Sequence, residues 1–97
     1  MNNLKSRRTR LEIFAEILEI CRKPNVKTRV MYQTNLSYNM LQVCLKKLLK
    51  QELLELNLGA KNYSTTERGL GFLQRWEDLQ QLTGATESPT TRVTPVF

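Results

Sequence analysis

Four residues, Thr34-Asn35-Leu36-Ser37, interrupt an apolar helical rhythm that otherwise runs from Thr28 to Leu49. Upstream stand Val30 and Met31; downstream, Leu41, Cys44, Leu45, Leu48 and Leu49 recur at steps of three and four, the spacing that lines one face of an α-helix. Within the interruption, Asn35 tolerates the left-handed conformation that ends a helix, and Ser37 is a good N-cap for the next one. Leu36 and Leu41 flank that cap at the spacing of a hydrophobic staple. Two helices joined by a tight turn are therefore expected, at about 28–34 and about 37–51. Asn39, Gln42, Val43, Lys46 and Lys50 fall on the outer side of the second.

The same logic extends in both directions. Thr9 followed by Glu12 matches a capping box, and Leu11, Phe14, Ile17, Leu18 and Cys21 continue at helical spacing, with Ile13 and Ile20 widening the face. This first helix, about 9–22, is expected to stop at Lys23-Pro24 because the residue before a proline leaves the α region. After Gln51 the period shortens to two. Leu54, Leu56 and Leu58 alternate with Glu55 and Asn57, and Gly59-Ala60-Lys61-Asn62 precedes Tyr63, a β-hairpin pattern. Thr66 then caps a last helix carrying Leu70, Phe72, Leu73, Trp76, Leu79 and Leu82. Gly69 and Gly71 near its start, where glycine costs about 1 kcal/mol, imply close backbone approach to the hairpin or to the first helix. The Thr- and Pro-rich residues 84–97 read as a flexible tail, with docking of Val93, Val96 and Phe97 as the alternative.

Charge divides the chain. Residues 1–50 hold 11 Lys and Arg against 3 Glu, a balance of +8; residues 51–97 hold 4 against 6, a balance of −2, for a total of +6. A basic half points to a polyanion, although a charge run is also how a face stays solvated. With no histidine in the sequence the usual zinc sets cannot be assembled, so neither metal nor cofactor is expected. No Gly-rich phosphate loop or paired carboxylates follow a strand, so the chain is not expected to be an enzyme. Cys21 and Cys44 lie in apolar periodic runs and read as reduced core thiols rather than a redox pair. No apolar run has the length of a membrane span or a signal peptide, so no membrane is expected and a cytoplasmic, nucleoid-associated location is.

Three helices and a hairpin, the second and third helices joined by a tight turn, are the order of a winged helix-turn-helix. The fold class is thus mainly α with a small β-hairpin. The strings "RTRLEIFAEILE", "KTRVMYQTNLSYNMLQVCLKKLLKQELLE" and "YSTTERGLGFLQRWEDL" resemble the archaeal winged-helix DNA-binding proteins of the Sulfolobus chromatin-associated type. "TR-x-MY-x-x-NLSY" across the turn and "T-E-R-G-x-x-FL" at the last helix are the most characteristic parts. Val43 stands where such proteins often carry a basic or polar residue, and the last helix is shorter than theirs. The resemblance implies duplex DNA as ligand, helix 3 as recognition helix and the hairpin as wing. It also implies a homodimer through an antiparallel coiled coil of the last helix, with Phe72, Leu73, Trp76, Leu79 and Leu82 in the interface. The chain then divides into a basic arm (1–8), a winged helix-turn-helix domain (9–65), a C-terminal dimerisation helix (66–83) and the tail (84–97).

Ser37, Tyr38, Asn39 and Gln42 at the start of helix 3 place hydrogen-bonding groups where a major-groove helix meets base edges; Asn and Gln pair bidentately with adenine. Tyr38 has the alternative of packing on helix 2. Arg29, Lys46, Lys47 and Lys50, with Lys61 at the wing tip, suit phosphates, which fix register without reading sequence. Lys5, Arg7, Arg8 and Arg10 suit an arm toward phosphate or minor groove, or serve solubility alone. The expected function is that of a dimeric duplex-DNA-binding protein, either a transcription regulator or an architectural protein of chromatin type. A protein-interaction module using Phe72 and Trp76 is the alternative. RNA is disfavoured, because 7% aromatics supply no stacking platform for single strands.

Overall fold

The computed structural model describes residues 8–83, and the proposed arm up to Arg7 and the tail 84–97 lie outside them. Within the described residues the order is α1 (Arg10–Ile20), β1 (Asn25–Val26), α2 (Lys27–Thr34), α3 (Tyr38–Lys50), β2 (Leu54–Asn57), β3 (Asn62–Thr65) and α4 (Glu67–Thr83). The expected capping box opens α1: Thr9 Oγ1 accepts from the Glu12 amide at 3.1 Å, and the Thr9 amide donates to Glu12 Oε1 at 2.8 Å. Ile13, Ala15, Ile17 and Leu18 are buried, whereas Leu11, expected on the core face, is half exposed. The helix ends at Ile20, four residues before Pro24. Asn25 Nδ2 donates to the Ile20 carbonyl at 3.0 Å and satisfies one of the free acceptors of the last turn.

The interruption folds as read. Asn35 is left-handed (φ 58, ψ 34) and its amide donates to the Met31 carbonyl at 2.9 Å; Ser37 Oγ accepts from the Met40 amide at 3.1 Å. Thr34, a buried polar side chain at 1% exposure, returns its hydroxyl to the Val30 carbonyl at 2.8 Å. From α3, Leu41, Cys44, Leu45 and Leu48 enter the core. That helix ends in a Schellman arrangement: the Leu53 amide donates to the Leu48 carbonyl at 2.9 Å and the Glu52 amide to Leu49 at 3.0 Å, with Glu52 left-handed at φ 62.

The hairpin gains a strand that the sequence did not signal. β1 pairs antiparallel with β3 (Asn25↔Tyr63, Val26↔Asn62), so the sheet order is β1-β3-β2. A two-residue strand has no period to read, and only the partner makes it one. Thr65 fastens the sheet to α1, its hydroxyl donating to the Leu18 carbonyl at 2.7 Å and its amide to that of Cys21 at 2.9 Å. Thr66 caps α4 as expected, with Oγ1 accepting from the Gly69 amide at 3.0 Å. Gly69 also makes the expected close approach, since a Cβ there would lie 2.2 Å from the Leu53 carbonyl oxygen. Gly71 does not: a Cβ would meet nothing within 4 Å. Gly69 and Leu73 are buried on α4, which packs on α1 and β3. No described helix is long and apolar enough to cross a membrane.

Candidate nucleic-acid interface

The core face of α3 dictates its opposite. With Leu41, Cys44, Leu45 and Leu48 inward, the 100° step per residue puts Asn39, Val43, Lys46 and Lys50 outward, and all four are exposed. Lys47 is exposed on one flank, close enough to Cys44 for its charge, with that of Arg10, to oppose the rise in the thiol pKa caused by burial. Ser37 and Arg29 are exposed as well, although Ser37 Oγ is already engaged as the cap. Among the described residues Lys46, Lys47 and Lys50 have no ion-pair partner, whereas Arg22 pairs with Glu19, so the α3 cations present unneutralised charge.

The opposite flank carries an arrangement that helical spacing does not reveal. Gln42 is half-buried, and its Oε1 accepts from Lys27 Nζ at 2.5 Å. The same ammonium lies 5.3 Å from the centre of the Tyr38 ring, a cation–π contact. Tyr38 thus meets α2, the alternative raised above, while leaving just over half its surface exposed. Lys27 was not among the candidate residues. The signal for it was slight: a cation at the first position of a helix opposes the macrodipole and needs another reason to be there. Lys27 also joins Leu56, Leu58, Lys61 and Tyr63 around a depression between α2 and the hairpin. Lys61 itself is exposed and left-handed (φ 55) where the turn enters β3.

Of the proposed arm, the described residues are fixed rather than free. Arg8 pairs with Glu16, and its second guanidinium nitrogen donates to the Thr34 carbonyl at 2.9 Å, fastening the chain to the end of α2. Arg10 opens α1. Lys5 and Arg7 lie outside the described residues. Both cysteines are buried free thiols, and desolvation pushes Cys21 up to about 11.

The five α4 residues assigned to an interface separate into three groups. Leu73 is buried within the chain. Phe72 and Trp76 are half-buried and stacked, ring centroids 6.5 Å apart and nearly parallel; Leu79 and Leu82 are exposed, the latter at 83%. Phe72, Trp76 and Leu79 join Leu11 and Leu53 around an apolar groove, together with Arg68 and Arg75. On the other side of Trp76 a polar groove between α1 and α4 holds Glu12, Glu16, Glu19 and Glu77 together with Arg8 and Arg22.

No curated protein matches the chain. The winged helix-turn-helix profile matches residues 7–84, which takes in every element from α1 to α4. The tight turn at Asn35, the sheet order β1-β3-β2 and this match agree: the chain belongs to the winged helix-turn-helix family.

Proposed function

We propose that the protein is a homodimer that binds double-stranded DNA, with α3 in the major groove and the β2–β3 hairpin as wing, acting as a transcription regulator or a chromatin-type architectural protein. The observation that carries this reading is the exposed cationic row Lys46, Lys47 and Lys50 on α3, which has no ion-pair partner among the described residues. Those cations, with Arg29 on α2 and Lys61 on the wing, are suited to phosphates, while Asn39 and Gln42 near the start of α3 are suited to base edges. Helix-turn-helix proteins meet bases through the N-terminal part of the second helix, and here Ser37, Tyr38 and Asn39 occupy that end. The exposed α4 residues Leu79 and Leu82, continuing the apolar groove at Phe72 and Trp76, support pairing through α4.

The test is duplex binding by gel shift with the Lys46, Lys47 and Lys50 → Glu triple variant. All three are exposed, so the fold and its circular dichroism should persist while binding is lost. Unchanged affinity would refute α3 as the DNA-facing helix. The groove at Phe72 and Trp76 favours a second reading, a protein-interaction module. That reading predicts no wild-type affinity for random duplex.

A further inference from the structure

We infer that Lys27 is a positioning residue that sets which base Gln42 reads, making the α3 site select guanine rather than the adenine that an unconstrained glutamine takes. This rests on the proposed placement of α3 in the major groove. The juxtaposition is the bond from Lys27 Nζ to Gln42 Oε1 at 2.5 Å, with the ammonium also 5.3 Å from the Tyr38 ring centre.

A carboxamide has two faces, and an ammonium has only donors, so the atom facing Lys27 must be the oxygen. Gln42 and Lys27 are both half-buried, and Tyr38 holds the ammonium from a second direction. The amide is therefore oriented before any DNA arrives. Adenine is read bidentately when the amide oxygen accepts from N6 and the amide nitrogen donates to N7. Lys27 takes one of the two lone pairs of Oε1 and turns that atom toward α2, so in this scheme Nε2, with donors only, is the atom presented to the base. Guanine offers two acceptors, N7 and O6; thymine offers O4 alone; adenine offers N7 but sets an amino donor beside it; cytosine offers only an amino donor. The order of preference is guanine, then thymine and adenine, then cytosine. Lys27 makes no base contact in this scheme and acts through Gln42.

The experiment is selection of duplexes from a random library by the full chain at one fixed salt, for wild type, Lys27→Met, Lys27→Arg and Gln42→Glu, with thermal melts to show that each is folded. Wild type should enrich guanine over adenine at one position of the site by about fivefold or more, the ratio of one good side-chain-to-base pair. Lys27→Met keeps the aliphatic stem but frees the amide oxygen, and the preference should move to adenine. Lys27→Arg retains a donor and should retain guanine. Gln42→Glu presents acceptors only and should move the preference to cytosine through its N4 amino group. A Lys27→Met protein that still takes guanine overturns the inference. So does a wild type that takes adenine, or one that binds all duplexes alike; both leave DNA binding standing. Absence of any duplex binding overturns the DNA reading itself, and this inference with it. If Lys27→Met does not fold, the wild-type guanine-to-adenine ratio decides, because an unlocked glutamine favours adenine.

Discussion

Single residues set the geometry on which the interface depends, and Asn35 is the clearest. Its left-handed backbone (φ 58) lets α2 end and α3 begin three residues later, so it fixes how α3 is presented. Residues with a Cβ and no compensating polar side chain pay about 1–2 kcal/mol in that region, while glycine does not. Asn35→Ala should lower stability by about 1 kcal/mol and Asn35→Gly should be near neutral, both read from denaturant midpoints. Equal loss in the two variants would mean that the Asn35 side chain, not its backbone, matters. Lys27 works differently. It strains no backbone and instead orients the neighbouring Gln42 amide, so its replacement should leave the melting temperature nearly unchanged.

The two glycines of α4 show how one helix is joined to the wing at one point and left free at the next. An alanine at 69 would drive its Cβ to 2.2 Å from the Leu53 carbonyl oxygen and 2.6 Å from Thr65 Cγ2. Overpacking of this kind costs about 1–3 kcal/mol, more than the propensity gain of about 1 kcal/mol, so Gly69→Ala should destabilise the protein. Gly71→Ala meets nothing and should stabilise it by about 0.5–1 kcal/mol. Opposite signs in the two melts are the expected outcome. Leu79 and Leu82 are exposed, so changing both to Glu should spare the fold yet produce monomers in light scattering, if pairing runs through this helix. Leu73 is buried, and Leu73→Ala should instead cost about 2–5 kcal/mol of folding stability. Monomeric wild type at micromolar concentration would remove the dimer from the proposal.

Among the described residues, Glu12, Glu16 and Glu19 of α1 and Glu77 of α4 share one groove with Arg8 and Arg22, while Lys46, Lys47 and Lys50 stand on α3 with no acidic residue in that helix. Of these two surfaces, the one on α3 is suited to attract a polyanion. If the dimer contacts about four to six phosphates, the slope of log affinity against log salt should lie near −4 to −5, from ~0.9 counterions released per contact. A slope near zero would show that the cationic face takes no part in binding.

Most of the fold was legible along the chain because it rests on local chemistry. Thr9 with Glu12, Asn35, Ser37 and Thr66 act within three or four residues of themselves, so caps and turn follow from neighbours alone. The shift from helical to alternating period at Leu54 likewise announces the hairpin without any partner. Leu56 and Leu58 keep that alternation but lie exposed, since the hairpin outruns the core that would cover them. Long-range contacts carry no such local signature. β1 is a strand only because β3 lies beside it, Leu11 is half exposed because α4 leaves a groove over it, and Arg8 is tethered by a carbonyl 26 residues away. Gln42, expected on the outer side of α3, is half-buried on its flank, with its amide bonded to Lys27, 15 residues earlier. Periodicity states which side of a helix a residue occupies; what waits on that side is settled by the packing of other elements, whose positions depend on the whole chain.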